Sequence, residues 1–68
     1  MTLKELRENV ALRQVDIASK LRVSVVTVSK WERGEAEPRL VYKGDLAKLY
    51  GVTIAQLNEA IAETKKES

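Results

Sequence analysis

Apolar residues recur every third or fourth position over most of the chain, the spacing that lines one face of a helix. Leu3, Leu6 and Val10 form the first such set, opened by Thr2 and Glu5 at capping-box spacing, and predict a helix ending near Val10. Ile17, Ala18 and Leu21 predict a short second helix from Gln14 to Leu21. The run Val23 to Ser29 is dense in β-branched residues and locally favours a strand. No partner strand is legible elsewhere, whereas Ser24 is a good N-cap, Val28 and Trp31 stand three apart, and Gly34 offers a stop. Helix three is therefore expected over about Val25 to Arg33. A polar loop from Gly34 to Pro38 leads to helix four, roughly Arg39 to Tyr50, with Leu40, Leu46, Ala47 and Tyr50 inside and Gly51 as terminator. Gly44 costs that helix about 1 kcal/mol relative to alanine, which leaves a later start at Asp45 open. Thr53 and Gln56 repeat the capping box before a fifth helix striped by Ile54, Leu57 and Ile61. The expectation is an all-α, compact five-helix bundle spanning residues 1–64, with a frayed tail over 65–68.

Sixty-eight residues hold one small domain, and 44% hydrophobic composition is enough for a modest core. Cysteine and histidine are both absent, which removes disulfides, thiolate or imidazole metal sites and the usual nucleophile and base pairs. An enzyme is not expected, nor a metal, a cofactor or a small-molecule ligand. No apolar run reaches the roughly 20 residues that span a bilayer, and the first residues lack a signal-peptide stretch, so a cytoplasmic protein without membrane contact is expected. Net charge is only +2, yet the stretch from Arg13 to Arg33 carries five bases and two acids. That local excess is what a phosphate-facing patch requires.

Two short helices joined by a tight turn form a unit whose second helix can enter a DNA major groove. Ala18 is small where the helices cross, Val23 plugs the turn, and Ser24 leaves the N-terminal N–H groups of helix three facing outward. With Val28 and Trp31 inward, Val25, Val26, Ser29 and Lys30 fall on or beside the outer face and are the candidate base readers. Valine reads no hydrogen-bonding edge but contacts the thymine methyl, while Lys30 reaches guanine O6 or N7. The alternative is that one valine is tucked into the core. Thr27 and Ser29 bond bases or phosphates, or are plain surface residues.

The series Gln14, Ile17, Ala18, Leu21, Val23, Ser24, Val28, Ser29, Trp31, Glu32 and Gly34, in this frame, resembles the Cro/phage-repressor helix-turn-helix family, also called the xenobiotic-response-element type. Arg7, Pro38, Leu40, Leu46, Ala47, Gly51 and Val52 also fall where that family has such residues. The resemblance implies a lambda-repressor-like DNA-binding domain acting as a sequence-specific transcriptional regulator on double-stranded DNA. It implies that Gln14 bonds a phosphate and that Arg7 and Glu32 form a partly buried structural ion pair. Phosphate contacts are expected from Arg13, Gln14, Arg22, Thr27 and Arg33, with Lys30 helping, and from Arg39, Lys43 or Tyr42 where helix four abuts the backbone. Arg22 stands where the family usually has a turn glycine, so an arginine at positive φ is expected; Arg13 replaces a usual Ser or Thr cap and Ala11 another frequent glycine. A homodimer on paired half-sites is expected, through Ile54, Leu57, Asn58 and Ile61 of helix five unless these close the monomer core. The competing function is an adaptor-like or antitoxin-like interaction module that keeps the fold and uses Val25 and Val26 as a docking spot.

Overall fold

The computed structural model describes residues 1–67, which form five helices: α1 (Leu3–Asn9), α2 (Gln14–Leu21), α3 (Val25–Glu32), α4 (Leu40–Tyr50) and α5 (Ile54–Glu67). The β-branched run is helical. Ser24 caps α3 by accepting the Thr27 N–H at 3.1 Å, and Val28 and Trp31 are driven into the core, so tertiary burial overrides local strand preference. Both capping boxes form, Thr2 with Glu5 and Thr53 with Gln56. At α2, where Arg13 offers no acceptor, Asp16 receives the Arg13 backbone N–H at 2.8 Å and satisfies one donor of the helix start.

The first four helices end alike. The N–H of the second or third residue past the helix reaches back to a carbonyl five positions earlier: Leu12 to Arg7, Val23 to Ala18, Glu35 to Lys30 and Val52 to Ala47. The residue before each of these is left-handed: Ala11 at φ +56°, Arg22 at +58°, Gly34 at +75° and Gly51 at +68°. Two of the four positions are thus held by residues with a Cβ, including the arginine expected there. Leu12, Val23 and Val52 then pack on the core, which fixes each chain reversal.

Burial is drawn from every helix: Leu3 and Leu6, then Ile17, Ala18 and Leu21, then Val28 and Trp31, then Leu46, Ala47 and Tyr50, then Leu57, Ala60 and Ile61. α2 packs chiefly on α3, while α5 closes the other side against α1 and α4. Three expectations need correction. Leu40 is not on the inner side of α4 but 80% exposed, because the helix starts at Leu40 with Arg39 as its cap, and its first turn projects beyond the core formed by Leu46, Ala47 and Tyr50. Leu57 and Ile61 belong to the monomer core and are not available as a dimer surface. The expected tail is helical through Glu67, since Thr64 is buried, accepting the Leu3 N–H at 2.9 Å and donating to the Ala60 carbonyl at 2.8 Å, and Lys65 pairs with Glu37. Ser68 lies outside the described residues. Among the described residues, no helix is long and apolar enough to cross a membrane.

Candidate nucleic-acid interface

Because Val28 and Trp31 anchor α3 from behind, its leading turn faces solvent: Val25 is 41% and Val26 61% exposed. Neither valine is tucked into the core. Lys30 is exposed on the same helix and makes no salt bridge among the described residues. Ser29 is half-buried, and its hydroxyl accepts a hydrogen bond from Arg33, whose guanidinium also pairs with Glu35. That guanidinium holds the Glu35 carboxyl below its usual range. Thr27 lies 2.9 Å from the Ser24 hydroxyl, oxygen to oxygen, so the two hydroxyls are hydrogen-bonded at the start of the helix, and either can be the donor.

The polar residues around this turn divide by how tightly the fold holds them. Arg22 is exposed in the α2–α3 turn, and Arg39 is exposed at the cap of α4; neither makes a salt bridge among the described residues. Arg13 is exposed but clasps Asp16, Nη2 to Oδ1 at 3.2 Å, which keeps the Asp16 carboxyl below its usual range. Lys43 donates to the Asn58 side chain on α5 at 2.9 Å. Ser24, Thr27, Arg39 and Tyr42 line one surface depression of about 450 Å³, so the start of α4 stands beside the start of α3. Tyr42 also leans on Trp31, ring centroids 5.7 Å apart.

Behind the exposed face of α3, Glu32 is the hub of a polar network. Arg7 grips it twice, Nε to Oε2 at 2.7 Å and Nη2 to Oε1 at 3.1 Å, while Arg7 Nη1 donates to the Leu12 carbonyl at 3.0 Å. The fork raises the Arg7 pKa above its ordinary value, and the Glu32 side chain is only 5% exposed. Gln14 Nε2 donates to Glu32 Oε1 at 3.0 Å. One amide proton of Gln14 is thereby committed to bracing the start of α2 against the end of α3. The Arg13 to Asp16 clasp has a local signal in its capping spacing, whereas the Gln14 to Glu32 and Lys43 to Asn58 links join residues 18 and 15 positions apart on successive helices and have none. No group of three or more acidic side chains that could hold a metal ion occurs among the described residues.

The helix-turn-helix family profile matches residues 3–57. The chain belongs to the Cro/C1-type helix-turn-helix family. It is similar to the HTH-type transcriptional regulator DdrOP3 of Deinococcus deserti (strain DSM 17065 / CIP 109153 / LMG 22923 / VCD115), 41% identical over 87% of this chain and 46% of that protein. It is also similar to the HTH-type transcriptional activator BcrR of Enterococcus faecalis, 34% identical over 97% of this chain and 35% of that protein. The chain thus spans less than half the length of either relative. No solved structure matches it. Within the family frame, α2 and α3 are the helix-turn-helix, and Val25, Val26 and Lys30 are exposed on its second helix with the half-buried Ser29 beside them.

Proposed function

We propose that this chain is a sequence-specific DNA-binding unit of a transcriptional regulator, acting on double-stranded DNA in the compartment that holds the genome and carrying no catalytic chemistry. α3 enters the major groove with its leading turn toward the base edges. Val25 and Val26 pack on thymine methyl groups, Lys30 reaches a guanine acceptor, and Ser29 bonds a base edge when Arg33 swings to a phosphate. Arg22, Arg39 and Arg13 flank the turn and neutralise phosphates, joined by Thr27, Arg33, Lys43 and the free amide proton of Gln14. Arg7 and Glu32 act structurally, by holding α1 and α2 to the end of α3.

The observation that carries this reading is the outward pair Val25 and Val26 on a helix clamped from behind, in a chain of the Cro/C1-type family. A phosphate-neutralising interface is salt-sensitive, with log affinity falling by roughly 0.9 per neutralised phosphate for each unit of log salt. Three to five contacts correspond to a slope of about −2.7 to −4.5. A gel-shift titration on duplex DNA across salt concentrations checks this; a flat dependence contradicts a DNA role and favours an interaction module.

A further inference from the structure

Arg33 closes α3 and is tied back to the helix it ends. Its backbone N–H donates to the Ser29 carbonyl at 3.0 Å, and one turn of helix sets its guanidinium over the same residue, where Nη1 donates to the Ser29 hydroxyl. The chain then reverses through Gly34 at φ +75°, and the Glu35 N–H bonds the Lys30 carbonyl at 3.0 Å. That cap pins the Glu35 backbone beside Arg33, and the Glu35 carboxylate accepts the Arg33 Nε–H. Ser29, Arg33 and Glu35 are thus joined in one line of contacts along the end of α3. Both members of the ion pair are 52% exposed, so the pair adds little to the stability of the fold. Glu35 has no second task either. Asp16, which clasps Arg13, also satisfies the backbone at the start of α2, and Glu37, the other acid of this loop, pairs with Lys65 on α5, whereas the Glu35 carboxylate has no hydrogen-bond partner except Arg33 among the described residues.

We propose that Glu35 is a brake on the DNA interface: it keeps Arg33 on Ser29, and so withholds one phosphate-neutralising cation and one base-reading hydroxyl until DNA displaces it. This rests on the DNA reading above. Two effects act in the same direction. A phosphate must take Arg33 from a carboxylate that already compensates its charge, and the carboxylate so displaced stays near that phosphate, like charge beside like. Arg22 and Arg39 make no salt bridge among the described residues and meet DNA at full charge. The guanidinium holds the Glu35 carboxyl below its usual range, so the brake is set at neutral pH. Glu35 acts through Arg33 and is a positioning residue, which separates it from an acid that merely lowers the net charge.

A double-mutant cycle makes that distinction. Fluorescence anisotropy on a labelled duplex, at several salt concentrations, compares the unmodified chain with Glu35→Gln, Arg33→Gln and the double variant, and thermal melts of all four report the fold. The expected result is that Glu35→Gln binds about two- to fivefold more tightly, the worth of an exposed ion pair. Its slope of log affinity against log salt steepens by up to about 0.9, one more phosphate neutralised. In the Arg33→Gln background the gain from Glu35→Gln shrinks by at least half, and the melting midpoints of Glu35→Gln and the unmodified chain coincide. An affinity unchanged by Glu35→Gln overturns the inference, as does a gain of equal size without Arg33, which assigns the effect to net charge, or a lowered midpoint, which assigns the pair to the fold. Salt-insensitive binding by the unmodified chain overturns the DNA reading and the brake together, whereas salt-sensitive binding indifferent to Glu35 overturns the brake alone.

Discussion

Arg7 shows how a charged side chain is used as a structural part. Its guanidinium closes a two-pronged bond to a carboxylate that is almost out of solvent, and Gln14 occupies one of the same oxygens. Removing the cation alone leaves Glu32 desolvated with one amide for company, so Arg7→Met is expected to destabilise the fold by about 3–5 kcal/mol. A urea melt measures this, and an unchanged midpoint contradicts the structural role. Arg22 is the opposite case, a residue whose backbone is strained while its charge stays in solvent. Arg22→Gly relieves a left-handed Cβ and is expected to stabilise by about 1 kcal/mol while weakening DNA binding. Ala11→Gly is the control, since it relieves the same conformation at φ +56° without removing a charge, and is expected to leave DNA affinity unchanged. Thermal melts and duplex titrations of the two variants separate strain from charge; a loss of stability in Arg22→Gly contradicts the account of the turn.

At the scale of the elements, the caps and the helix faces were legible because they are local. Thr2, Ser24 and Thr53 with their partners three residues on, and the stripes through Leu6, Ile17, Val28, Leu46 and Leu57, are written within one or two turns of chain. The family frame likewise pointed to a left-handed Arg22. What the chain did not disclose depends on contacts between distant segments. Leu40 reads as a core residue by type and spacing, but only the packing of α4 shows that its first turn overhangs the core. The polar end of α5 reads as a fraying tail, yet Thr64 reaches the start of α1 and Lys65 reaches the loop before α4. In the candidate interface the outward turn of α3 was legible, whereas the bonds that restrain Ser29, Lys43 and Gln14 were not, since each depends on a partner brought in by the fold or by a side-chain choice among several acceptors.

On the scale of the whole molecule, Tyr50 of α4 is buried near the Arg7 and Glu32 pair. Burial, reinforced by the negative charge of Glu32, pushes the Tyr50 pKa up to about 12. An unfolded tyrosine ionises near 10, so the folded state holds this proton more tightly. The resulting contribution is fully present below pH 10 and is lost as the pH rises through about 12. A shift of this size corresponds to about 2–3 kcal/mol. Denaturant melts between pH 9 and pH 12 are expected to show that decline, flattened in Tyr50→Phe; identical slopes for the two proteins contradict burial of the phenol.

The proposed reading of base sequence by the exposed turn at Val25 and Val26 is open to selection of bound duplexes from a random DNA pool, run in parallel on the unmodified chain and on Val26→Ala. The expected result is enrichment of a motif with thymine at a fixed position, and loss of that preference in the variant with the rest of the motif kept. A pool that shows no enrichment, or a motif indifferent to Val26, contradicts it.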